Sequence, residues 1–314
     1  MIMKNKLLVI ILFLSCTIVH AQRNINLVVP FTFGGTADRA ALIILPFLKL
    51  ELASHNLTPV ITYIPGGGGL IGAAAVAKSD RPQLLLAPNT LLTASLINSA
   101  AASFNVTEDI VILQYIGHVP MLLVVNKNST WTSINDLQKD CQRRPVVYGS
   151  GGIGTLTHIS SAMIMQHLGC KTVHVPYKGS GQTHTDLSGN HIEFTTDFVT
   201  SIKPHIDVGT FRPLLVVDKN RNRDYPTVHS LGDIDFKEYD LYNWFTLAVS
   251  ANLPAEEIVK LKQILHKVFQ NPSLRHQLQL AGYKGIDQPI PANFLNIELQ
   301  KMKQIVGKIA IDAN

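Results

Sequence analysis

The stretch PVVYGSGGIGTLTHISSAMIMQHL, residues 145–168, decides the fold. Val146 to Tyr148 reads as a short buried strand, Gly149 to Gly154 as a glycine-rich turn, and Thr155 to Leu168 as a helix. A strand feeding a helix through a tight glycine turn is the unit of a parallel, wound sheet. Downstream the unit recurs: Thr172 to Val175 is the next strand, Tyr177-Lys178-Gly179-Ser180 leads into a helical stretch to Leu187, and Ile192 to Thr195 is a strand again. Upstream, the strand Asn26 to Val29 stops at Pro30. A Gly-Gly loop leads to an amphipathic helix over Asp38 to Leu52, and the strand Pro59 to Ile64 ends in Pro65 and four glycines. A helix over Ile71 to Lys78 and a buried strand over Gln83 to Ala87 complete that unit. The last third carries a strand over Phe245 to Val249 and helices over Ala255 to Phe269 and from Pro291 onward.

Three loops therefore follow strands and open helices: Phe31 to Asp38, Gly66 to Gly72 and Gly149 to Thr155. Glycine lets the backbone approach a ligand closely, and first-turn N–H groups have no intrahelical partner. With the positive end of the helix dipole they form an anion site that needs no charged side chain. Ligands of open α/β sheets sit beyond the carboxyl ends of the strands, where all three loops fall. A single such loop reads best as a tight turn, whereas three at equivalent positions read as one site.

Competing chemistries are poorly supported. Gly67, Gly69, Gly72 and Gly149, Gly151, Gly154 match the dinucleotide fingerprint, but Ala87-Pro88-Asn89 and Pro176-Tyr177 offer no acid to hold a ribose. The loops lack the Gly-Lys-Ser/Thr ending of a P-loop. Tyr148 stands where a nucleophile elbow at Ser150 needs glycine. His158, His167, His174, His184 and His191 show no metal-ligand spacing, so no metal, cofactor or catalytic residue is assigned. Among carboxylates near the expected cleft, Asp38 suits either a helix-start charge or a ligand contact. Asp197, at a strand end, is the better ligand candidate.

The N-terminus sets the compartment. Lys4 and Lys6 precede the apolar run Leu7 to Leu14, and a polar stretch ends at Val19-His20-Ala21, which is the pattern of a secretory signal cleaved after Ala21. The run is shorter than the roughly 20 residues of a membrane span. Cleavage before Cys16 as a lipoprotein is the alternative. Losing two lysines lowers the formal net charge from +5. No basic stripe with interleaved aromatics stands out, so nucleic acid is not expected as a partner. Cys141 and Cys170 fit no zinc motif. They precede strands that would share one sheet edge and could pair in an oxidising compartment; two free thiols are expected over a disulfide.

Ordered blocks along the chain carry a resemblance: Val28-Val29-Pro30-Phe31 with Gly34-Gly35 and Asp38; Pro65 to Gly69 with Ile71-Gly72; Tyr148-Gly149-Ser150 with Gly152, Gly154-Thr155 and His158; and Val173 to Ser180 followed by Thr185-Asp186-Leu187. Asp224 to Val228 and Trp244-Phe245 also fit. The sequence resembles the Bug-type, TctC-like family of periplasmic solute-binding proteins that serve tripartite tricarboxylate transporters. That resemblance implies a two-lobed α/β Venus flytrap of type II, each lobe a wound, mostly parallel sheet with flanking helices. It implies a periplasmic monomer that captures a small organic acid for a membrane permease and is not an enzyme. A sensor feeding a signalling partner, or a secreted enzyme using the same cleft, is the alternative. Residues 1–21 would be the signal peptide, residues 22–118 and 241–314 lobe 1, and residues 119–240 lobe 2.

Carried over by position, ligand contacts would come from Phe33, Gly35, Thr36, Gly68, Gly69, Asn89 and Thr90 in lobe 1, and from Ser150, Gly151, Thr155 and Asp197 in lobe 2. Lys178 lies in a shared block and suits a structural role there. The chain departs from the family at Tyr63-Ile64, at Ala87-Pro88-Asn89-Thr90 and at Ile153. Tyr63, Ile64, Asn89 and Ile153 are thus expected to read a ligand with a less polar body.

Overall fold

The computed structural model describes residues 23–98, 102–236 and 243–309; the expected signal peptide lies outside them. In chain order the elements are β1 (Arg23–Val29), α1 (Thr36–Ala53), β2 (Leu57–Tyr63), α2 (Leu70–Ala77), β3 (Gln83–Pro88), α3 (Thr90–Ile97), β4 (Ile110–His118), β5 (Met121–Asn126), α4 (Ile134–Cys141), β6 (Val146–Ser150) and α5 (Leu156–His167). They continue with β7 (Thr172–Pro176), α6 (Ser180–Ser188), β8 (Phe194–Phe198), α7 (Val199–Asp207), β9 (Phe211–Val216), β10 (His229–Ser230), β11 (Trp244–Ser250), α8 (Ala255–Phe269), α9 (Pro272–Leu280) and α10 (Phe294–Val306).

The strands form two sheets, ordered β2-β1-β3-β11-β4 and β10-β9-β5-β8-β6-β7. The first draws on both ends of the described chain and the second on its middle. Each sheet is mixed in the same way. β11 runs antiparallel to β3 and β4, and β5 runs antiparallel to β8 and β9. These two strands stand immediately after the chain enters each sheet from the other. At the crossing, Val119 N–H donates to Asn243 C=O at 2.9 Å, tying the outgoing segment to the incoming one.

Burial explains which segments became central. Every residue of β5 (MLLVVN), β8 (FTTDF) and β11 (WFTLAVS) is buried, as expected for strands covered on both faces. α1 buries Ala40, Ala41, Ile44, Leu48 and Leu52, an i, i+4 stripe laid against the first sheet. α8 has the bounds expected from sequence, with Glu256 and Glu257 in its first turn and His266 and Lys267 in its last, complementing the dipole. The helix expected from Pro291 begins at Phe294, and α9, which the sequence reading did not anticipate, precedes it. α9 is short, and Asn271 caps its start by accepting from Ser273 and Leu274 N–H.

One expectation is overturned. Cys141 and Cys170 form a disulfide, not two free thiols. β6 and β7 are parallel neighbours registered Val146↔Thr172, which brings the end of α4 and the residue before β7 to the same edge, with the Cα atoms 5.0 Å apart. The bridge spans a sequence separation of 29, so loop-closure entropy gives a stabilisation of about 3–4 kcal/mol. Replacing both cysteines by alanine should lower the urea midpoint accordingly, with no free thiol titrating in the unfolded wild type. A wild-type chain with two reactive thiols would contradict the pairing.

Candidate functional site

The two sheets point their helix starts at one another. Between them lies a partly open cavity, whose wall includes Gly35, Thr36 and Ala37 at the start of α1, and Pro88 and Thr90 at the start of α3. From the second sheet come Gly151, Thr155 and Thr157 around the start of α5, and Gly179 and Ser180 at the start of α6. Phe31, Phe198 and Phe245 supply the apolar wall. No lysine, arginine, histidine, aspartate or glutamate lines it.

The loop before α1 is held by the acid of its first turn. Gly34 N–H donates to Asp38 Oδ2 at 2.7 Å, and Tyr63 O–H donates to Asp38 Oδ1 at 2.6 Å. Desolvation, reinforced by this carboxylate, pushes the Tyr63 phenol up to about 12. Asp38 thus serves the loop and does not touch the cavity. The Thr36 hydroxyl is different: Thr36 is 3% exposed, and its Oγ1 has no hydrogen-bond partner. A buried polar atom without a partner costs roughly 1–3 kcal/mol, so its place on a cavity wall marks a ligand position.

The loop before α5 is internally satisfied. Gly151 N–H donates to Thr157 Oγ1 at 2.9 Å, and Thr155 Oγ1 donates to Gly152 C=O at 2.7 Å. Thr155 Oγ1 also lies 2.8 Å from Thr157 Oγ1 and caps His158 N–H. Ser150 is fully buried, with its Oγ 2.7 Å from His174 Nε2 and within reach of Gly152. The Ser150–His174 contact has the span of a nucleophile–base pair, but the hydroxyl is turned into the loop, away from the cavity. Behind it His158 and His174 stack at 4.0 Å, Tyr148 covers His174 at 4.8 Å, and Phe194 covers Tyr148 at 5.4 Å. Gly154 N–H donates to His158 Nδ1 at 3.2 Å.

The lobes touch through glycines on both sides of the cavity. Thr32 N–H donates to Lys178 C=O at 3.1 Å, and a Cβ on Gly34 would lie 3.4 Å from Gly181 Cα. A Cβ on Gly181 would overlap Phe33 C=O. On the opposite side, a Cβ on Gly68 would stand 2.8 Å from Ile153 C=O, and one on Gly154 2.8 Å from Ala94 Cα. Thr93 Oγ1 donates to Gly154 C=O at 2.7 Å, and Leu156 N–H donates to Thr90 Oγ1 at 3.3 Å.

Of the residues proposed from sequence, the structure brings Gly35, Thr36, Thr90, Gly151 and Thr155 to the cavity wall. Gly68 lies at the interlobe contact, and Gly69 packs against Phe31 and Leu91. Phe33 is 73% exposed and borders a separate open groove with His184 and His205. Asn89 is buried beneath α3, with its N–H donating to Trp244 C=O. Ser150 is turned into its loop. Asp197 is turned inward: His184 Nε2 stands 2.8 Å from Oδ2 and Phe198 N–H donates to Oδ1, so a strand-end acid that looked available is already committed. Tyr63, Ile64, Asn89 and Ile153 are not on the cavity wall either; the apolar surface comes from Phe31, Pro88, Phe198 and Phe245. Sequence reasoning missed Phe31, Ala37, Pro88, Thr157, Gly179, Ser180, Phe198 and Phe245 as wall residues. Gly179-Ser180 stood within a recognised block, and a glycine just ahead of a helix was the available signal.

The family model for the tripartite tricarboxylate transporter family receptor, TctC, matches residues 50–311. The chain belongs to this family. BugT of Bordetella pertussis is 27% identical over 260 residues, covering 81% of this chain and 79% of BugT. An R. palustris protein solved with adipate is 26% identical, with a TM-score of 0.81 over 91% of this chain and 96% of that one. The periplasmic binding protein BugD, at 21% identity and a TM-score of 0.80, covers 91% of this chain and 95% of its own. As a TctC-family chain with this two-lobed fold it is a solute-binding protein and not an enzyme.

Two outcomes follow from the site's construction. Burial lowers His158 to about 4, and burial together with His158 lowers His174 to about 3. Unfolded histidines titrate near 6.5, so the unfolded chain binds more protons below that pH. The stabilisation is complete above about 6.5 and is lost as pH falls toward 4. Melting temperature should drop over that window, and His158→Gln, which keeps an acceptor for Gly154, should flatten the slope; an unchanged slope would contradict the assignment. Second, Gly181→Ala is compatible with a helix start but overlaps Phe33 C=O when the lobes meet. It should leave the melting temperature nearly unchanged, weaken ligand binding at least ten-fold and leave the scattering radius of gyration of the liganded protein at its open value.

Proposed function

We infer that this TctC-family protein is exported to the periplasm, captures a small organic acid in the interlobe cavity as a monomer, and presents it to a membrane permease of the tripartite tricarboxylate type. The observation that carries the reading is the buried, partnerless Thr36 hydroxyl among converging helix starts, on a wall without charged side chains. Amide donors and dipole ends offer a carboxylate the partners it loses with its water, and a neutral wall does not repel it. The adipate and malate in solved relatives are ligands of the same chemistry. Residues 1–21 would act as the export signal. Contacts to the ligand would come from Gly35, Thr36, Thr90 and Thr155, with Gly179 and Ser180 added from α6.

Capture works by population shift: a ligand touching both lobes favours the closed state by its extra contacts there. Calorimetric titration tests the reading. Some carboxylate of a linear and aromatic panel should bind, its uncharged amide should not, and Thr36→Val should weaken the acid roughly 10–100-fold, the worth of a hydrogen bond to a charge. An amide binding as well as its acid would overturn the carboxylate reading.

A further inference from the structure

We propose that the ligand of this cavity carries one carboxylate on an apolar body, a monocarboxylic acid, and that its head is clamped between the starts of α1 and α6. The inference rests on the carboxylate reading above and narrows it.

Gly35 and Gly179 are the N-caps of the two helices, one from each lobe, and they meet almost head to head. A Cβ on Gly35 would lie 3.5 Å from Ser180 Cβ and 3.6 Å from its Oγ. The first-turn N–H groups of both helices, four per end by the geometry of the α-helix, lack intrahelical acceptors. Gly35 and Gly179 supply no capping side chain, and neither helix start has a side-chain cap. Thr36 Oγ1, buried and partnerless, lies in the same corner, and the half-buried Ser180 stands beside it on the wall. Two positive dipole ends held this close repel until an anion stands between them. One carboxylate has the oxygens to accept from both.

The opposite wall has no second opposed pair of uncapped helix starts: α3 begins without a side-chain cap, but Thr155 caps α5. Thr155 gives its proton to Gly152 C=O, so the proton between Thr155 and Thr157 is the one on Thr157, and Thr157 also accepts from Gly151 N–H. In the first turn of α5, Thr155 accepts from His158 N–H and Thr90 accepts from Leu156 N–H, so two of its donors are already paired. Of the hydroxyls there, only Thr90 retains a proton to donate. The remainder is the phenyl surface of Phe198 and Phe245, whose rings pack at 5.3 Å. A second carboxylate would meet there the Thr90 hydroxyl and the single uncapped start of α3, not an opposed pair of helix starts, and would lose its water against the phenyl rings, which is costly for a poorly paired charge. A methyl or methylene end gains from the same surface.

The test uses the full mature chain and matched six-carbon probes: hexanoate, adipate and hexanamide, titrated calorimetrically at neutral pH. Hexanoate should bind at least ten-fold tighter than adipate, hexanamide should not bind, and Ser180→Ala should weaken hexanoate while leaving the fold's melting temperature unchanged. Adipate binding equal to or tighter than hexanoate would overturn the single-carboxylate inference while leaving the carboxylate reading intact. Hexanamide binding as tightly as hexanoate would defeat the carboxylate reading itself. Should none of the three bind, benzoate against terephthalate applies the same criterion to aromatic bodies, and failure of all five probes would overturn both.

Discussion

Helix starts from two separate sheets converge on one neutral cleft, and at α1 and α6 no side chain caps the first-turn N–H groups. Most of what surrounds the site follows from that constraint. Side-chain caps would satisfy those donors and remove the site, so glycines stand at the N-caps of α1 and α6. Opposed dipole ends resist closure until an anion separates them. The lobes must also come close enough for one small ion to reach both, which leaves no room for a Cβ where Gly181 meets Phe33 and where Gly68 meets Ile153. Glycine thus has two duties here: exposing amides and allowing backbones to touch.

The charged and titratable groups act one layer behind the cavity. Asp38 fixes the first loop through Gly34 and Tyr63, and Asp197 joins α6 to the end of β8 through His184. The stacked His158 and His174 hold the third loop from beneath. Each places backbone amides or phenyl rings on the wall without putting its own charge there. The disulfide between Cys141 and Cys170 braces β6 and β7, the strands that lead into the starts of α5 and α6.

The strand–glycine loop–helix units were legible because buried apolar strands and glycine turns declare themselves locally. The wound α/β architecture and the approximate bounds of most elements around the site followed from them. What could not be read locally was direction. Asp197 and Ser150 both end strands that point at the cleft, yet His184 and His174, brought in by other elements, turn them inward. Phe198 lies beyond the strand read from sequence and Phe245 opens another, and only the facing of the two sheets puts them on the cavity wall. The pairing of the cysteines depended likewise on the register of β6 with β7. Tyr63 was expected to meet ligand as an apolar wall, but its hydroxyl serves Asp38.

The central claim is that the anion is held by the amides of the α1 and α6 starts and not by the third loop. Backbone amide NMR of ¹⁵N-labelled protein titrated with hexanoate, or with whichever panel acid binds, tests it most directly. The largest downfield amide-proton shifts are expected at Thr36, Ala37 and Ser180, with Gly151 nearly unmoved because Thr157 already accepts from it. Shifts centred on Ser150 and Gly151, with Thr36 and Ser180 silent, would contradict it.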